Sequence, residues 1–326
     1  MGRIIVTGAA GFIGFHVAQK LLAQGESVLG LDNLNSYYSV QLKEDRLSLL
    51  RTSNSFEFKK ISLERASEVR AAFESFRPDR VVHLAAQAGV RTSLTQPQLY
   101  IDSNITGTLS VLEACRHTGI ENLVLASSSS VYGANPEPVL SVQHRTDHPV
   151  SLYGATKKAN EGMAHSYSHL FGIPTTALRF FSVYGPWGRP DMALWRFTES
   201  MLAGQPIDVY NFGEMKRDFT YIDDIVQGVL ATLARVPDRA DSGARFRIYN
   251  IGNHQPVRLI EFIELLEKAL GIEAQKNFLP MQPGDVLSTC ADISDLMAET
   301  GFCPSTPLAE GITRFVSWYR TYHNLP

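Results

Sequence analysis

Three glycines at fixed spacing, Gly8, Gly11 and Gly14, stand between a short apolar run, Arg3-Ile-Ile-Val6, and a stretch where Phe15, Ala18, Leu21 and Leu22 recur at helical spacing. That order reads as strand, glycine loop, helix. The first glycine permits a tight turn, the second lets backbone amides approach a pyrophosphate with no side chain in the way, and the third lets the helix pack closely. A second apolar run, Ser27 to Leu31, ends at Asp32. It lies about 20 residues beyond the loop, where a dinucleotide-binding unit places a carboxylate on the adenosine ribose. Such a carboxylate repels a 2′-phosphate, which favours NAD over NADP. Asn33 and Asn35 serve as ribose or phosphate contacts, or simply as turn formers. Lys43 and Arg46 follow, and either can offset that repulsion and admit NADP, although an ordinary exposed helix face is the expected reading of both.

The alternation continues. Phe56 to Ile61 reads as a strand, Glu64 to Phe76 as a helix, Arg80 to Ala85 as a strand, Asn104 to His117 as a helix and Leu123 to Ser127 as a strand. A helix from Tyr153 to about Leu170 and a strand from Pro174 to Phe180 complete an α/β pattern. It predicts a Rossmann-like, doubly wound parallel sheet with helices on both faces. After Phe181 the rhythm loosens around Gly185, Pro186, Gly188, Pro190, Pro206, Gly213 and Pro237. Asp223 to Ala234 and Arg247 to Ile251 read as a helix and strand that return to the main sheet. The expected division is residues 1–181 as the NAD-binding domain, also receiving approximately 220–252. Residues 182–219 and 253–326 form a smaller, sequence-interleaved C-terminal lobe. Within it Leu259 to Leu270 and Ala309 to Tyr322 read as amphipathic helices.

Composition narrows the partners. Hydrophobic residues make up 44% of 326, charged residues 19%, and the formal net charge is -3. This is ordinary globular composition with no global field for nucleic acid or an anionic membrane, so a small molecule is the expected partner. Cys115, Cys290 and Cys303 match neither a disulfide framework nor a zinc spacing, and the nine histidines show no ligand spacing. No metal is expected, and His83 reads as a packed histidine at a strand end. The N-terminus shows no leader or lipid-anchor signal, so a cytoplasmic location is expected.

Tyr153 and Lys157 sit four apart and share one helical face. A free phenol, with a pKa near ~10, is a poor base at neutral pH until positive charge stabilises the phenolate. Lys157 and an oxidised nicotinamide can supply that charge, while the run Ala126-Ser-Ser-Ser-Ser-Val-Tyr-Gly133 offers hydroxyls to hold a substrate oxygen. Alone, this spacing is common on solvated helices.

With these features together, the chain resembles the extended short-chain dehydrogenase/reductase family of nucleotide-sugar enzymes over nearly its whole length. Further matches are His83-Leu-Ala-Ala86, Arg179-Phe-Phe-Ser-Val-Tyr-Gly-Pro186, Arg217-Asp-Phe-Thr-Tyr-Ile-Asp-Asp224, Tyr249-Asn-Ile-Gly252 and Gln282-Pro-Gly-Asp285. Asp32-Asn-Leu-Asn-Ser-Tyr-Tyr38, Gln87-Ala-Gly-Val-Arg91, Trp187-Gly-Arg-Pro-Asp-Met-Ala193 and Gly213-Glu-Met-Lys-Arg-Asp-Phe219 look most like the members that 4-epimerise UDP-glucuronic acid. The resemblance implies that Tyr153 removes the C-4 hydroxyl proton, that Lys157 holds the NAD ribose and lowers the tyrosine pKa, and that Ser128 is the catalytic hydroxyl. It also implies NAD contacts from Phe12, Ile13, Asn33, Lys43, Ser62, Leu63, Leu84, Ala85 and Ala86. Arg91, Ser127, Ser129, Ser182, Arg189, Arg217 and Asp285 become the expected contacts of the UDP-sugar. Arg189 is expected to clamp a carboxylate, Arg217 and Asp285 the nucleotide end, and Arg91 either group. A homodimer through a four-helix bundle is implied as well.

Two departures stand out. Ser62 occupies a position where the family usually has an aspartate on adenine, and Gln282 one where many relatives have an arginine. Ser129 and Ser130 stand where dehydratases carry a carboxylate pair, and Ser130 where the decarboxylases carry a glutamate, so elimination and decarboxylation are disfavoured. Three alternatives stay open: 4-epimerisation of a neutral UDP-hexose, decarboxylation of UDP-glucuronate, and a silent NAD-binding protein.

Overall fold

Branched aliphatic residues fill both sides of the pleat in the N-terminal strands, as a sheet covered on both faces requires. Ile4, Val6, Val28, Val82 and Val124 pack into one apolar cluster, while their strand neighbours Ile5, Leu29, Val81, Leu123 and Leu125 pack into another. All ten are at most 1% exposed. Each such side chain contributes about 1.5–3 kcal/mol of burial free energy, and together they hold the sheet rigid beneath the loops that its strand ends support.

The computed structural model describes residues 2–240, 243–282 and 285–325. Residues 283 and 284, the middle of the Gln282–Asp285 motif, lie outside the described residues. The chain opens with β1 (Arg3–Thr7), α1 (Phe12–Ala23), β2 (Ser27–Asp32), α2 (Val40–Leu50), β3 (Phe56–Lys60), α3 (Ala66–Phe76) and β4 (Arg80–His83). Two single-turn helices, α4 (Thr92–Thr95) and α5 (Pro97–Tyr100), and a π-helical turn over Ile101–Thr106 lead into α6 (Gly107–Thr118). Next come β5 (Asn122–Ser128), a 3-10 turn over Ser129–Tyr132, α7 (Leu152–Phe171) and β6 (Thr175–Phe180). The remainder holds β7 (Ser182–Tyr184), α8 (Ala193–Leu202), β8 (Ile207–Tyr210), β9 (Lys216–Tyr221), α9 (Ile222–Ala234) and β10 (Phe246–Ile251). It closes with β11 (Pro256–Arg258), α10 (Leu259–Leu270), β12 (Lys276–Leu279), α11 (Ser294–Thr300) and α12 (Leu308–Tyr322).

Seven parallel strands form one sheet in the order β10-β6-β5-β4-β1-β2-β3. The chain changes direction across the sheet at β1 and β4, which opens a crevice beyond their C-terminal ends. Helices α3, α6 and α7 contribute Phe73, Val111 and Ala164 to the cluster on one face. Helices α1 and α9 contribute Val17 and Val229 to the other. The C-terminal part adds a three-stranded sheet, β11-β9-β7, and a pair, β12-β8.

Two sequence expectations change in detail. The α-helix expected from Asn104 begins at Gly107, because Ile101–Thr106 is π-helical. The second concerns α2, which is no exposed face at Lys43 and Arg46: their relative exposures are 4% and 0%. Both side chains turn inward to satisfy loop oxygens, Lys43 those of Asn35 at 2.6 and 2.8 Å and Arg46 those of the glycine loop and its surroundings.

Candidate active site

The glycine loop closes on itself before it meets any ligand. Gly8 has φ +72°, a Cβ on it would sit 2.9 Å from the Ala85 nitrogen, and one on Gly14 would sit 2.0 Å from the Gly8 carbonyl. Only bare backbone fits there, so the turn leaves a cradle of the kind that admits a pyrophosphate at the N-terminus of α1. Asp32, at the end of β2, accepts from the Ala10 and Leu34 amides at 3.2 and 2.8 Å. Burial raises its pKa, while those amides, Lys43 and Arg46 oppose the rise. The residues present therefore fit a dinucleotide.

One continuous cleft runs from this loop to α7. Its walls include Gly8, Gly11, Phe12, Ile13, Gly14, Asp32, Asn33, Lys43, Leu63, Leu84, Ala85, Ala86, Ser127, Ser128, Tyr153, Lys157 and Arg189. Ser62 is not on the wall; its hydroxyl accepts from Asn33 Nδ2 at 3.3 Å. Behind the wall, His83 joins Thr7 at 2.7 Å and Thr108 at 3.1 Å, and burial, then the Lys157 charge, push its pKa down to about 3. It is a neutral packing residue.

The reactive end is set by α7. Ser151 caps the helix by accepting from the Gly154 amide at 3.1 Å, and Gly154 lets the first turn approach the 3-10 turn after β5. A Cβ on Gly154 would lie 2.5 Å from the Ser130 carbonyl. This close approach brings Tyr153 beside Ser128, whose hydroxyl favours the phenolate, although burial leaves the phenol above its usual pKa. Lys157 Nζ donates to the Ala126 carbonyl at 2.9 Å, and burial lowers its pKa to about 8. After the Ser128 hydroxyl, the Arg189 charge also favours ionised Tyr153, with Tyr37 opposing.

Arg189 is half-buried. Its Nε donates to Asp191 at 2.9 Å, its Nη2 reaches the other carboxylate oxygen, and Tyr37 donates to Asp191 at 3.2 Å. Burial opposes ionisation of the Asp191 carboxyl, but Arg189 and Tyr37 hold its pKa below the usual range. Sequence reading missed Tyr37 and Asp191 as partners; both stood inside quoted motifs, but 154 residues apart.

The serine run divides. Ser127 is buried and donates to Glu161 at 2.7 Å, so its proton is committed inward to the Glu161–Arg179 pair. Ser128 lines the cleft; Ser129 and Ser182 are half-buried and do not. Arg91, Arg217 and Asp285 form another group, with Arg91 3.9 Å from Asp285 and 5.3 Å from the Tyr210 ring centre. Arg217 donates to the Lys216 and Leu287 carbonyls; burial lowers its pKa and Asp285 offsets part of that. Its neighbour Asp218 makes no pair with it, being buried and accepting the amides of Asn253, His254 and Ala291.

Comparison with known proteins agrees with this geometry. Residues 4–252 match the model of the NAD dependent epimerase/dehydratase family. "Protein CapI" of Staphylococcus aureus is 52% identical over 98% of this chain and 99% of its own. A "probable UDP-glucuronate 4-epimerase" of Rhizobium meliloti is 48% identical over 97% of this chain and 96% of its own. The structure of UDP-glucuronic acid 4-epimerase from Bacillus cereus, in complex with UDP-glucuronic acid and NAD, superposes with a TM-score of 0.90 at 35% identity, covering 98% of this chain and 99% of that one. With its glycine cradle, Asp32 and the Tyr153 cleft set on a seven-stranded parallel sheet, this chain belongs to the NAD dependent epimerase/dehydratase family.

Proposed function

We propose that the protein is an NAD-dependent 4-epimerase that interconverts UDP-glucuronic acid and UDP-galacturonic acid through a transient 4-keto sugar. The observation that carries this reading is that Tyr153 and Arg189 line one cleft, which begins at the glycine cradle. A base and a carboxylate-binding cation thereby share one site. Bound NAD supplies the acceptor, and then the donor, of the C-4 hydride. Tyr153 takes the C-4 hydroxyl proton and later returns it, Ser128 holds the same oxygen, and Lys157 binds the cofactor ribose and supports the phenolate. Gly8, Gly11 and Gly14 hold the pyrophosphate, Asp32 holds the adenosine ribose, and Phe12, Ile13, Asn33, Lys43, Leu63 and Leu84–Ala86 line the cofactor's path.

A 4-keto glucuronate is a β-keto acid that readily loses carbon dioxide, so its carboxylate needs restraint. Arg189 engages it with the donors that Asp191 leaves free. Asp32 and Glu64, the carboxylates on the cleft wall among the described residues, come from the β2 end and the segment after β3. No carboxylate lines β5 or α7 in this cleft to take a C-5 proton, which separates this site from a dehydratase. Residues 182–219 and 253–326 form the nucleotide-sugar lobe, with Arg91, Arg217 and Asp285 on the UDP end. Exposed Leu99, Ile101, Leu109, Leu170 and Phe171 support a homodimer in which the α6 and α7 regions of two copies meet as a four-helix bundle. No described helix is long and apolar enough to cross a membrane, in keeping with a cytoplasmic enzyme.

One observation favours a second reading. Arg189 is already paired with Asp191, and a neutral UDP-hexose needs no further cation. Product analysis by proton NMR on UDP-glucuronic acid and UDP-glucose separates the two. Arg189→Ala is expected to lower kcat/KM on UDP-glucuronic acid about 10²-fold, with a smaller loss on UDP-glucose, where only its support of the Tyr153 phenolate is missing. Equal losses on both substrates would favour the neutral-sugar reading.

A further inference from the structure

Arg46 is a buried cation whose placement the chemistry above does not use. Its relative exposure is 0%, and among the described residues no carboxylate lies within ion-pair distance. Burying a charge without a counter-ion is unfavourable unless neutral acceptors surround it closely. Here they come from three separate segments. Nη1 donates to the Ala10 carbonyl inside the glycine loop at 2.8 Å and to the Tyr38 hydroxyl at 2.8 Å. Nη2 donates to the carbonyls of Trp187 at 2.6 Å and Gly188 at 3.2 Å. Nε has no partner. One planar fork therefore fastens the cofactor loop to the two residues that precede Arg189. The same strap is fixed once more by His16, whose Nε2 lies 2.9 Å from the Pro186 carbonyl. Trp187 itself has φ +60°, a conformation that a side-chain-bearing residue keeps only under external restraint.

We infer that Arg46 is a positioning residue that couples the NAD-binding glycine loop to the Arg189 strap, so that cofactor retention and restraint of the sugar carboxylate depend on one guanidinium. This rests on the UDP-glucuronate reading of the site. Loss of the fork frees the strap, and Arg189 no longer holds the carboxylate away from the geometry in which the bond to C-5 breaks. The 4-keto sugar then releases carbon dioxide, the electron pair left at C-5 takes a proton, and UDP-4-keto-pentose leaves with the enzyme's cofactor reduced.

The test compares wild type, Arg46→Met and Arg46→Lys. It reads NAD retained through purification, KM and kcat on UDP-glucuronic acid, and the share of turnovers ending as reduced cofactor and UDP-4-keto-pentose. Arg46→Met is expected to retain less NAD and to raise the decarboxylated share about tenfold or more. Arg46→Lys should fall between, since an ammonium keeps the charge and cannot span the three segments. Tyr38→Phe, which removes one acceptor and leaves the Ala10, Trp187 and Gly188 ties, should shift NAD content and product ratio less than Arg46→Met; an equal shift would count against the tie. A folded Arg46→Met with wild-type NAD content and product ratio overturns the inference. If Arg46→Met does not fold, His16→Gln, which loosens the strap alone, must raise the decarboxylated share with NAD content unchanged; a wild-type ratio overturns the inference equally. Failure of the wild type to make any UDP-galacturonic acid would refute the underlying reading instead. The coupling would then stand or fall on NAD retention by Arg46→Met and Arg46→Lys.

Discussion

Lys157 shows how burial sets the working state of a single group. Its pKa falls from 10.5 to about 8 because the ammonium loses water and gains only the Ala126 carbonyl. Between those two values the unfolded chain binds a proton that the folded chain has released, so stability from this group rises with pH across that window. Below about 8 the buried charge costs about 3 kcal/mol. In NAD-free protein, the stability of wild type relative to Lys157→Met is therefore expected to increase as pH is raised from neutral through that window, checked by urea unfolding at several pH values. A difference that shrinks or stays flat with rising pH would contradict the assignment. The Tyr153–Lys157 pair and Ser128 were legible in the sequence, because their spacing along one helix and one strand end is local. The added influence of Arg189 on Tyr153 was not, since that side chain reaches the phenol from a distant segment. The burial of Arg46 was equally hidden, as its strap partner Trp187 is 141 residues away.

At the scale of elements, β5, β6 and α7 are locked behind the serine run by a buried ion pair. Arg179 Nε and Nη2 donate to the two Glu161 oxygens at 2.8 and 2.9 Å, with both side chains 2% exposed. Ser127 donates to the same carboxylate, and Arg179 Nη1 donates to the Tyr132 hydroxyl at 2.9 Å. Removing one partner leaves the other charge uncompensated. Glu161→Met is expected to cost about 3–5 kcal/mol, whereas Glu161→Met with Arg179→Met should recover most of it. Chemical denaturation of the two variants checks this; a double variant no more stable than the single one would show that the pair is more than mutually compensating. Hydrophobic pattern located these elements to within a few residues, yet it could not show that the Ser127 hydroxyl is committed to Glu161. Adjacent strand residues point to opposite faces, and which face Ser127 takes is fixed only by the packing of α7.

For the whole molecule, the seven-stranded parallel sheet followed from alternating strands and helices, even to the return of α9 and β10. The C-terminal lobe was less legible. Its strands are three to six residues long and pair across long separations, as with β12 on β8 and β11 on β9. No local period specifies such partners. The assembled molecule places a glycine cradle, a tyrosine and an arginine along one cleft, and the account of its function is that C-4 of the sugar is oxidised and then reduced inside it. UDP-glucuronic acid carrying deuterium at C-4, converted by the wild-type enzyme in ordinary water, tests this most directly. UDP-galacturonic acid is expected to keep its deuterium at C-4, because the label leaves and returns without meeting solvent. UDP-galacturonic acid bearing ordinary hydrogen at C-4 would contradict it.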